Sequence, residues 1–208
     1  MGIHLSLLKS MRRTISIDQT EAKKYLTVGN HKLSKHVATF DLPASMEVCG
    51  RICPGCYAEK AQRIYPAVLP ARERKLAFSK TDEFVGTLLE AIQALKVKYI
   101  RVHSSGEMYS QDYLDKWVEI ATSLPQQKFY TYTKRLDDFD FSKLKALPNF
   151  VVINSLHSGK LNYGPIAERP PSMFLCPDYN TKDIICGASC SVCMEKEAEK
   201  TGVYFVKH

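Results

Sequence analysis

Apolar positions in the middle of the chain switch between a period near two and a period near 3.6, and the two alternate. Val37 to Leu42 reads as a strand stopped by Pro43. Residues 57–78 follow a helical pattern that Pro66 and Pro70 should break or kink. Phe84, Val85, Leu88, Leu89, Ile92 and Leu95 make one apolar helix face, with Ser79-Lys80-Thr81-Asp82 ahead of it as a capping signal. Tyr99 to His103 is a short β-favouring run, and Tyr113, Leu114, Trp117, Val118 and Ala121 mark the next amphipathic helix. Phe129 to Thr133 is a strand by composition, and a short helix around 141–147 stops at Pro148. Strands follow at Phe150–Asn154, Met173–Leu175 and Val203–Val206.

Strands alternating with helices imply right-handed βαβ units and an α/β fold with a mainly parallel sheet. The sheet can be open or curled into a partial barrel, and periodicity does not choose. Either form gathers ligands at the carboxyl ends of its strands. Polar clusters stand there: Ser104 to Glu107, Thr133-Lys134-Arg135, and Asn154-Ser155-Leu156-His157. The 208 residues fit one domain, with a core at 27–170 and a tail at 171–208.

Composition adds limits. With 45% hydrophobic and 25% charged residues the chain is ordinary for a folded protein, and no apolar stretch suggests a membrane span. Met1 to Ser6 fits the loose myristoylation pattern, and Leu5 to Arg13 is short, basic and apolar like a targeting segment. Lys9 interrupts that run and no small-residue cleavage site follows, so the expectation is a cytoplasmic protein. A net charge of +7 suits an anionic partner such as a nucleotide or nucleic acid, although no block of like charge concentrates it.

Seven cysteines change the picture most. They fall at 49, 53 and 56 and at 176, 186, 190 and 193, with none between the groups. An odd count in two clusters favours metal binding over a disulfide framework. Cys49, Cys53 and Cys56 are spaced C-x3-C-x2-C, which can hold three irons of a 4Fe–4S cluster and leave the fourth open to a small chelating molecule. Two alternatives stand beside it: zinc held by the same thiolates with His36 or His103, and a thioredoxin-like dithiol at Cys53-Pro54-Gly55-Cys56. Cys176, Cys186, Cys190 and Cys193 supply four thiolates, enough to close either a zinc site or a second 4Fe–4S cluster.

The first loop, following a strand and preceding a strand that ends in Ser105-Gly106-Glu107, resembles the radical S-adenosylmethionine superfamily. Cys-Pro-Gly-Cys-Tyr-Ala at 53–58, Val102 to Glu107, Phe129 to Lys134 and the cysteine-rich tail together look like a family of small phage gene products. The superfamily resemblance implies a partial (β/α) barrel with a metal-binding tail, S-adenosylmethionine on the open iron, and an electron donor. It places Ser105, Gly106 and Glu107 at the methionine amino group, and Lys134, Asn154 and Ser155 where ribose and carboxylate bind. Glu107 is the foremost candidate, as acceptor for a ligand ammonium. Gly55 stands where an aromatic residue is usual, with Tyr57 two positions on, and Ser105 and Met108 replace a glycine and a proline.

The expected function is therefore a radical enzyme with an unidentified, nucleotide-like or nucleic-acid substrate. The competing expectation is a non-enzymatic zinc or iron–sulfur module that binds nucleic acid or a host protein. No H-x-E precedes the Cys-Pro-Gly-Cys segment, and there is no nucleophile elbow or phosphate-binding glycine loop, so deaminase and hydrolase readings lack support.

Overall fold

A computed structural model describes residues 17–50, 53–157, 160–177 and 183–206; the N-terminal lipidation-like and targeting-like patterns lie outside the described residues. Helix α1 (Gln19–Tyr25) starts at Asp18, whose carboxylate accepts from the Glu21 amide at 2.8 Å, and leads into β1 (Thr27–Val28). Strands β2 (Val37–Phe40), β3 (Tyr99–Val102), β4 (Lys128–Thr133) and β5 (Phe150–Asn154) lie side by side in chain order, all parallel, and β1 pairs antiparallel with β2. Between β2 and β3 come α2 (Met46–Cys49), α3 (Tyr57–Ile64), α4 (Val68–Ser79) and α5 (Phe84–Leu95). Helix α6 (Gln111–Ser123) joins β3 to β4, and α7 (Ser142–Ala146) joins β4 to β5.

With right-handed crossovers, a strand order that never reverses puts the connecting helices on one face. The buried residues agree. Ala38, Phe40, Ile100, Val102, Phe129 and Val152 face the main core with Phe84, Leu88, Tyr113 and Trp117. Phe40, Phe84 and Trp117 meet edge-on there, with ring centroids 5.4 to 5.8 Å apart. The alternate residues Val37, Tyr99, Tyr130, Val151 and Ile153 belong to a second core, and the tail fills it with Met194, Ala198 and Val203. The period of two thus divides the sheet into a helix face and a tail face.

The tail is tied down at several points. Helix α8 (Glu197–Thr201) sends Glu199 Oε2 to the backbone amide of Val152 at 3.0 Å, which covers an otherwise open donor on the edge strand. Lys128 pairs with Glu195 at 2.9 Å. A hairpin of β6 (Leu156–His157) and β7 (Lys160–Leu161) follows β5. The strands expected at 173–175 and 203–206 form as β9 (Phe174–Leu175) and β10 (Val203–Val206), but they join β8 (Tyr163–Gly164) in a separate three-stranded sheet.

Two local expectations change. Pro66 lies in the break between α3 and α4, whereas Pro70 sits in the first turn of α4, where its missing N–H removes no helix bond. Ser79 and Thr81 do not cap α5: their hydroxyls donate back to Leu76 and Phe78 carbonyls at 2.7 and 2.9 Å, and α5 starts at Glu83 without a side-chain cap. These hydroxyls close the end of α4 instead.

His103 ends β3 in a left-handed conformation, with φ at 70°, and its Nε2 lies 2.9 Å from Tyr113 Oη. Burial lowers its pKa to about 3, so it is neutral. A base depressed in the folded state stabilises the fold above its unfolded pKa and loses that stabilisation as pH falls below it. Going from pH 7 to pH 5 should cost on the order of 2 kcal/mol through His103. Denaturant unfolding at the two pH values should show this loss shrink in His103→Asn, since Asn tolerates positive φ; an unchanged loss would contradict it.

Candidate metal and cofactor site at the carboxyl edge of the sheet

The first cysteine loop is built from two short helices and a turn. Ser45 caps α2 by accepting from the Val48 amide, and Cys49 is the last helical residue, followed by Gly50 with φ at 66°. A turn carries Cys53, with the Cys56 amide donating to its carbonyl at 3.1 Å. Cys56 then occupies the N-cap of α3 without making a side-chain cap bond, so its thiol is free for other work. Gln62 exchanges hydrogen bonds with the backbone of Ala44, and Arg72 Nη1 holds Gln62 Oε1 at 2.9 Å, fixing α3 to the exit of β2.

The segment after β3 packs against that exit. Asp41 Oδ1 accepts from the Ser104 and Ser105 amides at 2.6 and 3.3 Å, while its Oδ2 takes the Thr39 hydroxyl. Ser105 Oγ donates to the Leu42 carbonyl at 2.9 Å. Gly106 has φ at 85°, and a Cβ there would stand 2.6 Å from Leu42 Cβ, so backbone conformation and close approach both require glycine. The Tyr57 hydroxyl donates to the Ser104 carbonyl, which links α3 to the same segment.

Glu107 is 5% exposed. Its Oε1 accepts from the Lys134 amide at 3.1 Å, with Lys134 Nζ at 3.9 Å. Oε2 is buried without a hydrogen-bond partner among the described residues, as is Ser104 Oγ. Burial pushes the Glu107 carboxyl above its usual range, with Lys134 opposing the shift. Burial also raises the Cys49 thiol, and Glu107 and Cys56 are near enough to add to that.

These parts share one cavity. Cys49, Cys53 and Cys56 form one wall with Tyr57, and Ser104 to Glu107 with Lys134 form the other. Asn154 and Ser155 are not in its lining: Asn154 Oδ1 takes the Leu156 amide, and the Ser155 amide donates to the Thr133 carbonyl. Both shape the β5–β6 turn at the same sheet edge. Arg135, from the polar cluster after β4, donates to the Val48 and Met108 carbonyls and pairs with Asp138, bracing the cysteine loop against the Glu107 segment. His36 is exposed ahead of β2, at the opposite end of the strand from the loop, and His103 is bound to Tyr113, so neither lines this cavity. Asp41, Gln62 and Arg72 carry no motif, and sequence reading passed over them.

The second group lies on the tail face. Cys176, Cys186, Cys190 and Cys193 line a second cavity with Arg101, Tyr130 and Tyr132. Burial pushes the Cys193 thiol up to about 12, opposed by Tyr132 and reinforced by the thiols of Cys186, Cys176 and Cys190. The four cysteines thus share one cavity on the tail face. All seven cysteines are half-buried, and among the described residues none forms a disulfide. Among the described residues, no three His, Cys, Asp or Glu side chains converge tightly enough to hold a single metal ion. No helix of the described residues is long and apolar enough to cross a membrane.

Comparison with curated proteins and with solved structures yields no match. The sequence profile of one family, described as Gene product 88, matches residues 7–173, which takes in the whole first cavity and stops short of the four tail cysteines. That match spans most of the chain, and the chain belongs to the Gene product 88 family.

Proposed function

We propose that this chain is a radical S-adenosylmethionine-like enzyme whose first cysteine group holds a 4Fe–4S cluster. One observation carries the reading: three thiols, the Ser104–Glu107 segment and Lys134 wall a single cavity at the carboxyl edge of a parallel sheet. The sequential strand order suits a partial barrel, and the soft thiolates suit iron–sulfur. When bound, such a cluster supplies the electron that splits S-adenosylmethionine into methionine and a 5′-deoxyadenosyl radical.

The chain's own residues have separable roles in this reading. Cys49, Cys53 and Cys56 ligate three irons and leave one free for the amino acid part of the ligand. Glu107 Oε2 and Ser104 Oγ, buried without partners among the described residues, would accept from its ammonium group. Lys134 takes a carboxylate, and Tyr57 borders the opening. The tail cysteines line one cavity and would have to close further to hold a second 4Fe–4S cluster or a zinc ion, which would pin the tail to the sheet. A reducing cytoplasm would keep these thiols available, and an electron donor would act from outside. The net charge of +7 supports an anionic substrate of nucleotide or nucleic-acid kind.

Glu107→Gln tests the ligand assignment. It should leave iron content unchanged and weaken S-adenosylmethionine binding by about ten- to a hundredfold, the worth of a hydrogen bond to a charged group. Anaerobic titration of the iron-loaded protein measures it. Unchanged affinity would remove Glu107 from the site.

A further inference from the structure

We infer that the outward face of α3, beside the mouth of the first cavity, binds a single-stranded nucleic acid. The inference deepens the proposed function and rests on it for treating that strand as the substrate.

Helix α3 has two unlike sides. Ala58 is buried and Gln62 exchanges hydrogen bonds with Ala44, so the side they share faces the exit of β2. At about 100° per residue, Tyr57, Lys60, Arg63 and Ile64 fall together on the other side, and all four are exposed. Tyr65 follows at the helix end and is 60% exposed, close to the 67% of Tyr57. Glu59, the one acid of the helix, lines the first cavity instead.

Positive charge gathers in the same stretch. Six basic and two acidic residues stand between Tyr57 and Lys80, which is +4 of the chain's +7. Arg72 is spent on Ala58 and Gln62, and Lys80 on Glu47. Lys60 and Arg63 differ: among the described residues their side chains make no hydrogen bond and no ion pair. Cations held in this way are available to the phosphates of a polyanion.

The tyrosines select the kind of polyanion. The Tyr57 hydroxyl donates to the Ser104 carbonyl, which fixes the side chain while leaving it exposed. Exposed aromatic rings among basic side chains suit unstacked bases and the phosphates that join them. A duplex hides its base faces, and lysine is depleted from protein interfaces. From Tyr57 to Ile64 the face runs about 10 Å, so it can lead a strand to the cavity that Tyr57 borders.

Fluorescence anisotropy of a labelled oligothymidylate with the metal-loaded full chain, at several salt concentrations, tests this. The parent chain should bind, with affinity falling as salt rises. Lys60→Gln combined with Arg63→Gln should lower the logarithmic salt slope by roughly 1.4, or about 0.7 per lost phosphate contact. Tyr65→Ala should weaken binding about five- to a hundredfold with the slope unchanged, because stacking releases no counterions. Metal content and Tm should hold in both variants. No binding by the parent, or unchanged binding in either variant, would overturn the inference. So would lost metal or a lowered Tm in both, which would mark a structural face. Competition by polyglutamate or by a duplex as strong as that of unlabelled single strand would also overturn it, in favour of an acidic protein or general polyanion attraction. If S-adenosylmethionine cleavage fails while binding through this face persists, the proposed function falls and the nucleic-acid surface stands; the reverse result sinks only the surface.

Discussion

Cys56→Ala is expected to remove about four of roughly eight irons per chain and to abolish S-adenosylmethionine cleavage, with the fold intact. The substitution is a clean probe because the Cys56 side chain makes no capping bond at the start of α3. The backbone turn, in which the Cys56 amide meets the Cys53 carbonyl, needs no thiol. Two thiolates cannot hold the three irons that the site requires, whereas the tail cysteines lie in a separate cavity and should keep their metal. Iron and sulfide analysis with circular dichroism would measure both halves. Full iron in the variant, or cleavage that continues, would contradict the assignment of the first loop.

Gly187→Ala should be the most destabilising single methyl in the tail. A Cβ at Gly187 would stand 2.3 Å from Val37 Cγ2 and 3.2 Å from Ser34 Oγ, and φ is 80°. Left-handed backbone costs an ordinary residue about 1–2 kcal/mol, and overpacking adds about 1–3 kcal/mol. A total loss of roughly 2–5 kcal/mol is expected in denaturant unfolding. The clash falls where the tail meets the sheet, because the Cys186 amide donates to the Lys32 carbonyl and its own carbonyl receives the Ser34 amide at 2.9 Å. Metal should therefore be lost from the second group first, while the first loop keeps its own. A loss below about 1 kcal/mol would mean that the cysteine loop can lift off the sheet without cost.

The regular part of the fold was legible because its physics is local. Phe150–Asn154 and Val203–Val206 form strands over the expected residues, and Trp117 and Tyr113 are buried on one helix face as their spacing required. Sheet membership was not legible, since β9 and β10 look like any short apolar run until their partners are known. The capping signal at Ser79 misled for a related reason: a hydroxyl between two helices can serve either one.

The candidate site divides in the same way. Cysteine spacing and the Ser105-Gly106-Glu107 segment pointed to residues that do share a cavity. Asn154 and Ser155 stand at the right edge but serve a turn, which depends on the hairpin that follows them. The roles of Asp41 and Arg135 were beyond sequence reading, because each acts across more than one segment of the chain. Asp41 holds Ser104 and Ser105, and Arg135 reaches Val48 and Met108.

The most direct measurement is the iron, sulfide and zinc content of anaerobically purified protein, with the reduced-cluster signal recorded before and after S-adenosylmethionine is added. The radical reading predicts at least about four irons per chain, matched by sulfide, and a signal altered by the ligand. Zinc alone at both cysteine groups, with no response to S-adenosylmethionine, would contradict it and leave a metal-stabilised binding module.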